Sequence, residues 1–190
     1  MVLGRLREPV RLPVGVAEGV VGLVWAVVAA RAVAGGMPGW WVPAPAALGW
    51  LAVVLTATDV AQRRLPNVIT MPAYPVAGAL LVVVCGAGGG VGLGVRAAVA
   101  GALLLAVYAT VHLVAPGQLG AGDVKLAGVV GLALGAMGWP AVLVGQVIAA
   151  VVTVGFAVGT AGRRGSPHGP GMLAGALLLA VFPGTVAVVG

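Results

Sequence analysis

Apolar residues fill seven stretches of the chain, near 14–34, 44–58, 70–87, 95–115, 124–138, 140–160 and 171–189. A helix needs about 20 residues to cross a hydrocarbon layer about 30 Å thick, so each stretch can span if tilted or partly re-entrant. The breaks between them, "GGMPGWWVPAP", "RRLPN", "GAGGG", "APGQLGAG", "GWP" and "GRRGSPHGPG", carry the Gly and Pro that end helices and turn the chain. The second and fifth stretches are short, and the fifth, "VKLAGVVGLALGAMG", is rich in glycine. The pattern predicts an all-α protein, a polytopic membrane helix bundle of about seven transmembrane segments.

Composition agrees with the pattern. Of the 190 residues, 61% are hydrophobic and 7% charged, and mean hydropathy is +1.16. A soluble domain of this length could not hide so much apolar surface. The 33 glycines and 13 prolines suit transmembrane helices, where small residues let backbones pack closely. Trp40, Trp41 and Trp139 fall at segment ends, where indole rings favour the membrane interface. A lone cysteine, Cys85, excludes an internal disulfide or a multi-cysteine zinc site and reads as a small buried residue. The two histidines lie apart, His112 near a helix end and His168 in a loop, so no metal site is expected.

The basic residues set an orientation rather than a nucleic-acid surface. No Lys/Arg cluster stands apart from the apolar runs, so the partner expected from charge is the lipid bilayer. With seven crossings, Arg5, Arg7, Arg11, Arg63, Arg64, Lys125, Arg163 and Arg164 share one side, against Arg31 and Arg96 on the other. The positive-inside rule makes the first side, with the N-terminus, cytoplasmic. Glu18 interrupts the first apolar run and Arg31 closes it, which favours an uncleaved anchor over a signal peptide.

Four carboxylates remain: Glu8, Glu18, Asp59 and Asp123. Glu8 sits among arginines as a solvated ion-pair partner. Glu18 lies one turn inside the first segment, where it can snorkel to the headgroups. In the topology above, Asp59 ends the second segment as it reaches the cytoplasm, and Asp123 begins the fifth as it leaves. Two carboxylates at one depth, if close, share a proton, and one can activate water while the other polarises a carbonyl. Capping is the alternative: Asp123 as a helix N-cap, Asp59 as an ion-pair partner of Arg63 four residues on. Spacing alone does not choose between them.

Local motifs do. "DVAQRRLPN" runs from Asp59 through a basic pair to a Pro66-Asn67 stop, "GAGDVK" sets Gly120 and Gly122 before Asp123 and Lys125 after it, and "HGPG" opens the last segment at Gly169 and Pro170. In this order the three resemble the type IV prepilin peptidase family, the GxGD-type intramembrane aspartyl proteases. The resemblance runs from about Ala46 to the C-terminus. It divides the chain into 1–45, an N-terminal anchor segment and extracytoplasmic loop, and 46–190, a catalytic core of six helices.

The resemblance implies an aspartic endopeptidase, acting without cofactor, that cuts the basic leader of type IV prepilin-like precursors after glycine at the cytoplasmic face of the bacterial plasma membrane, for pilus or secretion-pseudopilus assembly. Asp59 and Asp123 would be catalytic. Gly120, Gly122, Lys125, Pro66, Asn67, Gly169 and Pro170 would shape the loops or position substrate, with Lys125 biasing the pair or touching the membrane surface. Members that also N-methylate the product carry paired Cys-x-x-Cys motifs, which this sequence lacks, so methyl transfer is not expected. The presenilin-like proteases share GxGD but carry Tyr before the first aspartate, where Thr58 stands here. Readings from other classes are a small proton-coupled transporter, which would place its carboxylates at mid-membrane, or a catalytically inactive assembly protein.

Overall fold

The computed structural model describes residues 15–62, 65, 67–115, 119–159 and 168–186. They form seven α-helices: α1 (Val16–Val33), α2 (Pro43–Gln62), α3 (Asn67–Val84), α4 (Gly90–Val114), α5 (Ala121–Met137), α6 (Trp139–Gly159) and α7 (Gly169–Val181). No strand occurs among the described residues. Each expected apolar stretch holds one helix, with ends displaced by a few residues. α2 continues past Asp59 to Gln62, so Asp59 lies within the last turn rather than closing the segment.

Four helical stretches are long and apolar enough to cross a membrane: Val16–Val33, Gly39–Asp59, Asn67–Val114 and Trp139–Gly159. The third is α3 and α4 together. A turn at Cys85–Gly89 separates them, with Gly88 at φ 140° and Gly90 at φ 73°, values that cost glycine little and other residues much. α5 has 17 residues and α7 has 13, about 26 Å and about 20 Å at 1.5 Å per residue.

The short α5 is the centre of the bundle, packed against α3, α4, α6 and α7. Its run from Leu126 to Gly131 is buried throughout, as are Leu134–Met137. The glycines make this possible. A β-carbon on Gly131 would lie 2.7 Å from the Ala100 carbonyl oxygen, and one on Gly135 would lie 2.9 Å from Ala97 Cα. α7 meets α6 in the same way: a β-carbon on Gly175 would come within 2.6 Å of the Gly145 oxygen. Close backbone approach replaces large side chains, as in helix pairs that associate within lipid. The outer faces stay apolar, with Val91, Val95, Val99 and Leu103 exposed on α4 and Leu143, Val147, Val151 and Val154 on α6. Outer faces of this kind need lipid rather than water against them. The protein is a multi-pass membrane protein.

Contacts between helices order the two ends. Arg96 of α4 meets the end of α5 while His112 of the same helix meets Leu119, so α4 runs antiparallel to α5. Tyr74 and Asn67 of α3 both meet Lys125, and Val84 lines the same cavity as Ala136, so α3 runs with α5. At one end Arg96 donates to the carbonyls of Gly135 and Ala136 at 2.8 and 3.1 Å, capping the C-terminus of α5. Arg31 lies there too, its guanidinium 4.8 Å from the ring centre of Phe182. Trp41, expected at the membrane interface, is instead buried, because the turn Gly39–Trp41 folds its indole inward to donate to the Ala180 oxygen at 2.9 Å. Trp139 is exposed as its position suggested. Glu18 is exposed in the first turn of α1, where the helix dipole favours an acid.

Candidate active site

The other end of the bundle collects the sequence motifs. Asp59 is 5% exposed, and its Oδ2 is buried with no hydrogen-bond partner among the described residues. Its carboxylate lies within electrostatic reach of Asp123, 64 positions later in the sequence. The end of α2 and the start of α5 thus bring the protein's two aspartates within electrostatic reach of each other.

Asp123 is held by the start of its own helix. Its Oδ2 accepts a hydrogen bond from the Gly120 N–H at 3.1 Å, and its own N–H donates to the Gly120 oxygen at 3.0 Å. This is the third-position half of a capping box; Gly120 has no side chain to supply the other half. The N-cap place expected for Asp123 is held by Gly120, and Asp123 instead caps from the third position of the helix by accepting the Gly120 N–H. Asp123 lies outside the four spans. Burial raises its carboxyl above the usual carboxylate range, while the Gly120 amide and the charge of His168 draw it back down.

Leu65 joins the three motifs. It is buried in the connection between α2 and α3. A β-carbon on Gly122 would lie 2.7 Å from Leu65 Cβ, and one on Gly169 would lie 3.4 Å from its Cδ2 and 2.9 Å from Asp59 Oδ2. Gly122 belongs to the first turn of α5 rather than to a loop, and neither it nor Gly120 has a positive φ. Room for neighbours, not unusual dihedrals, is what these glycines provide. Pro170 stands in the first turn of α7, where its missing N–H costs nothing. Pro66 and the basic pair Arg63 and Arg64, with the ion pair considered for Asp59, lie outside the described residues.

Lys125 links two helices. Its Nζ donates to Asn67 Oδ1 at 2.8 Å, and its carbonyl accepts from Tyr74 Oη at 2.7 Å. Both bonds tie the start of α5 to α3. Three further polar residues, none of them assigned to the site by sequence, are His168, Tyr108 and Gln146. His168, expected as a solvated loop residue, is half-buried as the N-cap of α7, with its charge acting on Asp123. Tyr108 of α4 also feels Asp123 and donates to Gln146 Oε1 of α6 at 2.8 Å. Gln146 Nε2 is buried without a partner among the described residues. A Tyr and a Gln inside otherwise apolar segments are the available signal, and only the hydrogen bond between α4 and α6 gives it meaning. No group of three or more His, Cys, Asp or Glu able to hold a metal occurs among the described residues.

A family model described as the type IV leader peptidase family matches residues 46–158. The chain belongs to that family. The matched stretch runs from α2 to the last turn of α6 and includes both aspartates, the Pro66-Asn67 stop and the GxGD motif. It leaves out α1 and α7, so Gly169, which packs on Asp59 and Leu65, lies outside the match. No curated protein and no solved structure matches the chain. Membership makes the protein a peptidase of the leader-processing kind.

Proposed function

We propose that this leader peptidase is an aspartic endopeptidase that removes the basic leader of type IV prepilin-like precursors, after glycine, at the cytoplasmic face of a bacterial plasma membrane. The observation that carries the reading is the meeting of Asp59 and Asp123 at one end of an apolar bundle. Two such carboxyls share one proton. The ionised one takes a proton from water as the water oxygen attacks the peptide carbonyl, and the protonated one gives its proton to the carbonyl oxygen. When the tetrahedral species collapses, the proton taken from water passes to the leaving nitrogen.

The depth of the pair suits this substrate. A basic leader stays in the cytoplasm and an apolar helix stays in the bilayer, so the bond between them lies at the surface. Asp59, Leu65, Asn67, Asp123 and Lys125 share one end of the bundle, and with seven crossings that end carries eight of the ten Lys and Arg residues. An apolar cavity of about 370 Å³ opens between α2, α3 and α5, lined by Leu51, Ala73, Ala77, Val84, Val129 and Ala133 among others. It lies deeper in the bundle than the aspartates, between the helices that carry them, and would receive side chains of the precursor's apolar helix. We assign no methyl transfer, since residues of the Cys-x-x-Cys kind are missing and Cys85 is a single half-buried thiol.

Mass spectrometry of a synthetic precursor incubated with the purified protein tests the reading. It should show one cut, after the leader glycine, and no added methyl group with S-adenosylmethionine present. Cuts scattered along the leader, or none, would oppose it.

A further inference from the structure

His112 and Asp123 bond to opposite sides of one peptide group. His112 lies half-buried in the last turn of α4, and its Nδ1 stands 2.8 Å from the Leu119 oxygen. A carbonyl oxygen only accepts, so the contact assigns a proton to Nδ1. On the other side of the same peptide, the Gly120 N–H donates to Asp123 Oδ2 at 3.1 Å. The Leu119–Gly120 peptide is trans, and a planar trans peptide points its C=O and N–H in opposite directions. Holding the carbonyl therefore aims the amide. Hydrogen bonds in series also polarise one another, so donation to the Leu119 oxygen strengthens the Gly120 N–H as a donor.

Gly120 is exposed ahead of α5 and has no side chain, so packing of its own cannot fix the direction of its amide. We infer that His112 is a positioning residue for Asp123, acting through the Leu119–Gly120 peptide. The inference rests on the aspartic-peptidase reading, in which Asp123 has to be held beside Asp59. The imidazole acts at one remove: it fixes the peptide, and the peptide N–H fixes the carboxylate. This role asks for a donor at the Nδ1 position and for neither a base nor a charge. Nδ1 carries its proton both in the neutral tautomer seen here and in the imidazolium, so the bond persists in either form.

The test is steady-state cleavage by the full-length protein in detergent, using a synthetic precursor with a basic, glycine-ending leader and an apolar helix. His112→Phe keeps a ring and loses the donor. Its kcat should fall about tenfold, the usual net effect of one hydrogen bond, in protein still folded at the assay temperature. KM should stay within about twofold of wild type, since the loss is in the chemical step. His112→Asn sets its Nδ2–H close to where the imidazole Nδ1–H stood and should restore most of the lost kcat. A wild-type kcat in His112→Phe, a rise in KM alone, or a His112→Asn variant as slow as His112→Phe overturns the inference. A loss of rate matched by an equal loss of folded protein overturns it too. Asp123→Asn separates the two levels. If it is inactive while His112→Phe keeps the wild-type kcat, the inference alone fails; if it cleaves normally, the aspartic-peptidase reading fails.

Discussion

Leu65 stands against Gly122 so closely that a β-carbon on residue 122 would lie 2.7 Å from Leu65 Cβ and 3.3 Å from its carbonyl oxygen. The connection that follows Asp59 is thereby seated on the helix turn that carries Asp123. Gly122→Val should push these two elements apart and lower cleavage strongly, and Gly120→Val should do so through Asp123 Oδ2, 3.0 Å from a β-carbon there. Gly92→Val is the control, because nothing lies within 4 Å of a β-carbon at that position. Rates for the three variants, beside their thermal stabilities in detergent, check the expectation. Equal loss at all three sites would point to general misfolding.

The bond between Lys125 and Asn67 gives a second expectation. If Lys125 ties α5 to α3 and does not act on the aspartates, Lys125→Ala and Asn67→Ala should each cost about 1 kcal/mol or less of stability, and the double variant no more than either alone. Additive losses would mean that the two side chains act independently.

The cavity beside α3 predicts a change in binding rather than in chemistry. Ala77 lines it, and Ala77→Phe would fill part of the space. KM for the precursor should rise by about tenfold with kcat changed little, as expected when an interaction uniform across the reaction is lost. A fall in kcat alone would remove the cavity from the path of the substrate helix.

Orientation can be read by labelling. In a Cys85→Ala background, a cysteine at residue 38 should react with an impermeant thiol reagent in intact cells, whereas one at residue 64 or 165 should react only after the membrane is opened. The reverse pattern would place the aspartates on the outer face.

Much of the fold is legible because it depends on local features. Apolar run length and the Gly and Pro between runs locate seven helices, and the GAGGG sequence marks the turn between α3 and α4. The aspartates are legible as a pair because they stand out in a chain with few charges and lie at matching ends of their segments. What the sequence hides depends on contacts between distant residues. Lys125 bonds to Asn67, 58 positions earlier, and the buried Trp41 to Ala180, 139 positions later. His168 and Gly169 reach the end of the bundle that holds the aspartates through the docking of α7 onto α2 and α5. Span length misleads at α5, since a helix enclosed by four others and packed through glycine is short for a lipid-facing span.

The shared-proton pair is tested most directly by cleavage of the synthetic precursor by Asp59→Asn and Asp123→Asn, each nearly the shape of the wild type. Either change removes the base or the acid, so each should lower the rate by about 10²- to 10⁴-fold while expression, membrane insertion and thermal stability remain close to wild type. Wild-type cleavage by either variant would contradict the account.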